Sequence, residues 1–326
     1  PDFHFIRNKE NSGFAKANNQ AIPLCKGEYI LFLNPDTILA EDSLRVCISF
    51  FNDHTDAGAV GVRMIDGSGC FLRESKRGFP YPATSFFNMT GLAGLFPRSK
   101  IFSSYYMGHL DPDRIQVVDV LSGAFMMVKK NVLNKTGSFD ERFFMYAEDI
   151  DLSYRIEKAG FKNYYLPTTT IIHFKGESTQ KDFRYIKLFY SAMQLFMKKH
   201  LSNKSFSFRL YMLTLGLRLR QALSFMRLPF KTSFPSKTDT PVFIKGNPIG
   251  DEKLKRGLAA HQIPISEIQK KKDGIIFCEN ESSPWKTIIA EIGHEPKRNL
   301  YYFHGTGTHA LVGSHSGEKR GRVIVL

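Results

Sequence analysis

The sequence is short of several features that would assign a class at once. It holds no run of about 18 apolar residues, which excludes an obvious spanning helix. It has four cysteines, Cys25, Cys47, Cys70 and Cys278, with no CxxC pair. That spacing speaks against a zinc finger or a disulfide scaffold and suits a reducing cytosol. There is no signal-peptide pattern, internal repeat or low-complexity tract. The chain opens at Pro1 without a methionine, as a fragment would.

Acidic residues are nearly missing from one stretch. Residues 1–180 balance 20 basic against 20 acidic side chains, and residues 238–326 hold 13 against 10. Residues 181–237 carry 12 basic residues and a single acid, Asp182. Most of the net charge of +14 therefore lies in one segment, where an anionic partner is expected. A hydrophobic content of 42% in 326 residues suits a folded protein of two modest domains.

The first 180 residues alternate strand-like runs ("EYILFLN", "GAVGVRMID", "VVDVLSGAFMMVKK", "YYLPTTTIIHF") with helix-spaced ones ("SLRVCISFFND", "DLSYRIEKAG"). This predicts an α/β domain with a mostly parallel sheet and a site at the strand ends. Residues 181–237 read as basic amphipathic helices and a linker. From 238 to 326 a small α/β unit follows, like half of a Rossmann-type domain but without the GxGxxG fingerprint, so no nucleotide is assigned to it. His304, His309 and His315 there read as part of a glycine-rich surface loop before a metal site.

Chemistry is concentrated in five short motifs. Asp36 in "LFLNPDT" stands just past a strand, either in an ordinary turn or where a hard cation is held. Gly13 in "NSGFAKANNQAI" precedes a helix bearing Asn18 and Asn19, either a capped turn or a place where phosphate meets helix amides. Ser122-Gly123 interrupt an apolar strand as a bulge or as room for a sugar ring. His173 ends another apolar run, as a structural histidine or a metal ligand. "FFMYAEDIDL" sets Glu148, Asp149 and Asp151 against an aromatic stretch. A helix beginning right after the carboxylates favours their anionic forms. Asp151 can pair with Arg155 four residues on. One of the other two could cap the helix, which leaves one to face a cleft as a general base.

Taken in order, "NSGFAKANNQAI", "GEYILFLNPDTIL", "LSGAFMMVKKNVLNKTGSFDERFFMYAEDIDLSYRIEKAGF" and "IIHFKGES" resemble the family 2 glycosyltransferases, most of all the rhamnosyltransferase-like branch. The resemblance implies the GT-A fold and inverting transfer of a sugar from a dTDP- or UDP-linked donor to a glycan or polyprenyl-linked acceptor. It puts Asn34 and Asp36 at the metal-binding acidic motif, with Mg²⁺ or Mn²⁺ resting chiefly on Asp36. Gly13 and Asn18 match the donor loop and helix, and Ser122 and Gly123 line the donor and acceptor side. Asp149 is the expected base beside Glu148, and His173 lies near metal and diphosphate. The family's first strand and helix, which hold the nucleotide base, have no counterpart ahead of "NSGF", so either the chain is a fragment or its base site is incomplete. The basic segment fits either an anionic membrane surface on the cytoplasmic face or a helix pair packed on the catalytic domain. Nucleic acid is not expected, since no recognition motif accompanies the charge. The rival outside enzymes is a non-catalytic sugar-nucleotide-binding or scaffolding module at the membrane.

Overall fold

The computed structural model describes residues 3–81, 84, 87, 91–174, 183–200, 241–246, 251–269, 273–296, 301–314 and 322–326. In the first part, helices α1 (Phe14–Ala21), α2 (Ser43–Asp53), α3 (Leu92–Leu95), α4 (Lys130–Thr136) and α5 (Glu148–Lys158) surround six strands. These are β1 (Tyr29–Leu33), β2 (Thr37–Ile38), β3 (Ala57–Ile65), β4 (Gln116–Val118), β5 (Phe125–Lys129) and β6 (Lys162–His173). The sheet order is β1-β5-β3-β6-β2, with β4 also on β6. Strand β5 shows why its sequence is apolar throughout. Met126 and Val128 enter one buried cluster with Leu152 and Ile156, while Phe125 and Met127 enter another with Phe50 and Phe51. A strand covered on both faces has no polar side to alternate with.

The sheet is mixed, as the GT-A resemblance implies, but antiparallel pairings outnumber the parallel one, which corrects the expectation that most strands run parallel. Among the described strands of this sheet only β3 and β6 pair in parallel, while β1–β5, β3–β5, β2–β6 and β4–β6 are antiparallel. Hydrophobic patterning marks a strand but not its direction. The run 117–130 also divides at Leu121–Ala124, so β4 joins β6 while β5 joins β1 and β3.

Helix α6 (Phe183–His200) lays Ala192, Met193 and Phe196 on Phe79, Phe143, Ala147 and Ile150. The remainder of the basic segment, with the proposed boundaries near 180 and 237, lies outside the described residues. The last part forms a second six-stranded sheet of β7 (Val242–Lys245), β8 (Ile265–Ser266), β9 (Gly274–Cys278), β10 (Tyr301–His304), β11 (Ala310–Ser314) and β12 (Arg322–Val325). Here β8, β7, β9 and β10 are parallel neighbours, joined with α7 (Asp251–Ala260) and α8 (Trp285–His294). The expected small α/β unit is present. His304 closes β10 before a turn with Gly307 at φ 77°, and His315 lies outside the described residues.

Candidate active site

Two strand ends meet at the top of the first sheet. Leu33 is opposite Phe125 in the β1–β5 register, and the Asn34 N–H donates to the Ala124 carbonyl at 3.0 Å. Pairing thus brings "NPD" beside "SGA". The chain then turns, with Thr37 Oγ1 donating to the Asn34 carbonyl at 2.8 Å, and β2 pairs Thr37 with His173. The Phe174 N–H closes the bracket on the Asp36 carbonyl at 2.9 Å. As a result Asp36 Oδ1 lies 3.4 Å from His173 Nε2, and Asn34 Nδ2 lies 3.5 Å from the same nitrogen.

Asp36 Oδ1 is buried without a hydrogen-bond partner, and His173 Nε2 stands 3.4 Å from it. Buried polar atoms are normally satisfied, so an orphaned carboxylate oxygen facing an imidazole fits a missing cation. No group of three or more His, Cys, Asp and Glu capable of holding a metal occurs among the described residues. Two protein ligands would leave the remaining positions to substrate phosphate and water, as hard divalent ions accept.

The acidic cluster is the other half. Helix α5 starts at Glu148, so all three carboxylates lie within its first turn and not ahead of it. None of them caps it, since the N-cap position is Ala147, with φ 63°. Tyr146 at φ 70° precedes it, giving two consecutive left-handed residues outside glycine. Such backbone costs about 1–3 kcal/mol per residue and persists where the surroundings dictate it. Here the surroundings are apolar. Phe143, Ala147 and Ile150 are buried under α6, which explains why aromatic residues lead into the charges.

Each carboxylate meets a different environment. Asp149 Oδ2 accepts from Arg77 Nη2 at 2.5 Å and from the Gly123 N–H at 3.1 Å, while Oδ1 accepts from the Ile150 N–H at 2.8 Å. Glu148 is 7% exposed, and its Oε2 has no hydrogen-bond partner. Burial first, then repulsion by Asp149, pushes its carboxyl up to about 8. The helix-dipole expectation of an anionic form therefore fails at Glu148, since desolvation outweighs a terminal dipole. Asp151 pairs with Arg155 as expected, at 2.8 Å. It also accepts from Lys199 Nζ at 2.6 Å and lies 2.7 Å from His200 Nε2, both at the end of α6. Burial opposes the Asp151 charge, but the hydrogen bonds from Lys199 and His200 and the charges of Arg155 and Lys199 hold its carboxyl below the usual range.

Gly13 and Asn18 occupy packing positions in this structure. A Cβ on Gly13 would stand 2.4 Å from the Phe144 carbonyl oxygen, so the space beside it is filled by protein. Asn18 Nδ2 donates to the Phe14 carbonyl at 2.9 Å within its own helix. Asn19 grips the Phe139 backbone through both ends of its amide, at 2.8 and 3.1 Å. The Phe14 ring then lies against Gly123. Ser122 Oγ accepts from the Ala124 N–H at 3.3 Å, shaping the turn into β5.

Sequence reasoning did not find Arg77. It sits in "RESKRGFP", whose only local signal is a Lys-Arg pair before Gly-Phe-Pro. Reciprocal backbone bonds between Arg77 and Val120, at 3.1 and 2.9 Å, bring its side chain to Asp149 and to the Leu121 carbonyl, 2.9 Å away. Burial works against the Arg77 charge, yet Asp149 beside it raises the guanidinium above its ordinary range.

Comparison with known proteins meets this geometry from outside. Residues 1–137 match the profile described as Glycosyl transferase family 2. The rhamnosyltransferase WbbL of Escherichia coli K12 is 31% identical over 209 residues, covering 60% of this chain and 74% of that protein. The chain belongs to glycosyl transferase family 2. Another relative in the family is the N-acetylglucosaminyl-diphospho-decaprenol L-rhamnosyltransferase of Mycobacterium tuberculosis H37Rv, 30% identical over 156 residues. That match covers 48% of this chain, which spans about half the length of the mycobacterial protein (50%). A solved mannosyltransferase of Pyrobaculum calidifontis, in complex with GDP-Man and Mn²⁺, is 14% identical. It has a TM-score of 0.40 over 68% of this chain and 54% of that one. The glycosyltransferase reading of the motifs, and their likeness to the rhamnosyltransferase branch, are borne out by these relatives.

Proposed function

We propose that this chain is an inverting glycosyltransferase. It moves a sugar, rhamnose by the likeness of its relatives, from a dTDP- or UDP-linked donor to a hydroxyl of a glycan or polyprenyl-linked acceptor in cell-surface polysaccharide synthesis. The observation that carries the reading is the juxtaposition around the Ser122–Gly123–Ala124 turn. Asn34, beside His173 and close in sequence to Asp36, bonds the Ala124 carbonyl, and the Gly123 N–H bonds Asp149.

Asp36 and His173 would hold Mg²⁺ or Mn²⁺. When bound, such an ion supplies Lewis-acid neutralisation of the departing diphosphate. The chain's own residues do the rest. Asp149 takes the proton of the acceptor hydroxyl as its oxygen attacks the anomeric carbon from the face opposite the diphosphate. Base assistance of this kind is typically worth about 10²–10⁴-fold. Arg77, the Gly123 N–H and the Ile150 N–H fix the plane of that carboxylate, so a single orientation is offered. Protonated Glu148 beside it can donate a hydrogen bond to an acceptor oxygen without adding a second negative charge. Ser122 and Gly123 form the turn between the two halves, the Ser122 Oγ accepting from the Ala124 N–H and the Gly123 N–H donating to Asp149. Gly13 and Asn18 act indirectly, by setting α1 and so the Phe14 ring against Gly123.

A polyprenyl-linked acceptor places the enzyme at the cytoplasmic face of a membrane, reached by peripheral contact of the basic segment with anionic lipid. No helix among the described residues is long and apolar enough to cross a membrane. Calorimetric titration of dTDP and of UDP with Mn²⁺, then with EDTA, tests the donor site. Asp149→Asn should keep that binding and lose transfer. A variant that transfers at the wild-type rate would remove Asp149 from its role, and the absence of any metal-dependent nucleotide binding would remove the donor site.

A further inference from the structure

The segment that carries Asp36 does not end at the site. Beyond β2 it runs into the C-terminal unit, and three kinds of contact join them. Glu41 Oε1 accepts from the Trp285 N–H at 2.6 Å, and Oε2 accepts from the Lys286 N–H at 2.9 Å. These are the first two amides of α8, which have no partner inside their own helix. Helix α8 begins after Pro284 with no side-chain cap of its own, so its cap comes from 244 residues earlier in the chain. Lys286 Nζ adds an ion pair to Asp42 at 2.6 Å.

Behind these polar contacts is a shared core. Ala40, Ile65, Ile172 and Phe174 lie in one buried cluster with Ile288, Ile289, Ile292 and Phe303, and the Phe174 and Phe303 rings are 5.4 Å apart. Gly69, at φ 82°, has no room for a Cβ because the Ile292 carbonyl would stand 2.3 Å from it. Ile172 and Phe174 flank His173, and Ala40 and Glu41 follow Asp36 by four and five residues. Ile172 and Phe174 on either side of His173, and Ile38 and Ala40 shortly after Asp36, are thus packed against the C-terminal unit.

We propose that the C-terminal unit is a buttress for the donor side of the site, and that Glu41 is a positioning residue acting through the 37–42 loop on Asp36. This assigns a task to the unit that begins near residue 238, and its bearing on the metal rests on the function proposed above. A unit held only by apolar packing could slide, whereas two carboxylate–amide bonds fix the loop along the helix axis. Asp36 lacks a hydrogen bond at Oδ1, so it depends on backbone placement for its distance to His173.

The test uses the full chain, with Glu41→Ala and Glu41→Gln. Glu41 is exposed, and both variants should fold. Hydrogen exchange reads the mechanical link without any ligand. Glu41→Ala should speed exchange at Trp285 and Lys286 and also, several-fold, at Asp36–Ile38 and Ile172–Phe174, while Ile150–Ile156 stay unchanged. Glu41→Gln, which keeps one acceptor oxygen, should fall between. Electron paramagnetic titration with Mn²⁺ alone should then show weaker binding by about three- to tenfold in Glu41→Ala, with partial recovery in Glu41→Gln. Faster exchange confined to α8, or equal Mn²⁺ affinity despite faster exchange in both segments, would overturn the proposal. If the wild type bound no Mn²⁺ but exchange still spread to residues 36–38, the buttress would stand and the metal reading of Asp36 would fall.

Discussion

Arg77 Nη2 donates to Asp149 Oδ2 at 2.5 Å, with both side chains about seven-eighths buried. The same guanidinium reaches the Leu121 carbonyl, so one arginine ties the proposed base to the turn that faces it. Removing one member of a buried pair leaves the other charge uncompensated, which costs about 3–5 kcal/mol. Arg77→Met should therefore lower stability to denaturant by about that much and reduce kcat by about 10²-fold or more, within the range that base assistance supplies. Arg77→Met combined with Asp149→Asn should regain much of the stability and none of the transfer. A double variant no more stable than the single would show that the pair is not made in solution.

Glu148 gives a pH signature of unusual sign. Its folded-state carboxyl is raised from 4.5 to about 8, so between those values the folded chain holds a proton that the unfolded chain releases. Stability then falls as pH rises through that window, opposite to the behaviour of a salt-bridged carboxylate. Glu148→Gln should match the wild type near pH 4.5 and become the more stable protein by pH 8, by an amount on the order of a few kcal/mol. Denaturant melts of both proteins at the two pH values measure it. Parallel pH profiles for the two would mean that Glu148 is not buried as described.

The parts of this site legible in the sequence are those written into one strand end or one helix turn. Asp36, Ser122-Gly123, His173 and the 148–151 cluster could each be placed by local pattern, and β1, β3, β6 and α2 fell within a residue or two of expectation, whereas α5 begins three residues earlier than its pattern suggested. Arg77 was invisible because its role comes from a backbone bridge to Val120, 43 residues away, and no periodicity encodes that. Sheet direction was lost for a similar reason, since an apolar run reads alike in either sense. Gly13 was read with the right conformational demand but the wrong neighbour, because the Phe144 carbonyl comes from 131 residues downstream. The aromatic residues before the carboxylates made sense only once α6 lay on them.

Asp151 is fully buried and bound by Arg155, Lys199 and His200, which makes it the clasp between α5 and the end of α6. Its lowered carboxyl contributes stability at neutral pH that is lost as pH falls through and below the ordinary carboxylate range. Asp151→Asn should cost about 3–5 kcal/mol, since three cationic or potentially cationic groups lose their common partner. Limited proteolysis should cut within 183–200 in the variant before it cuts elsewhere in the first domain. An unchanged cleavage pattern with lowered stability would locate the loss in α5 alone. The acid limb should also flatten in the variant, because the titrating group is gone.

Gly13 allows the two meanings of one glycine to be separated. Its backbone, φ 84° and ψ 165°, lies in a region that is essentially glycine-only, and a side chain there costs about 1–3 kcal/mol before any contact is counted. The Phe144 carbonyl adds a clash that no rotamer can avoid, because both partners are backbone or Cβ. Gly13→Ala should thus lower stability by about 2 kcal/mol or more and loosen the Phe14–Phe144 backbone bond, now 2.9 Å. Nucleotide affinity, measured by calorimetry at a temperature where the variant is folded, should change much less than stability. If stability were unaltered and nucleotide affinity fell tenfold, the glycine would be serving a ligand that approaches where Phe144 now sits.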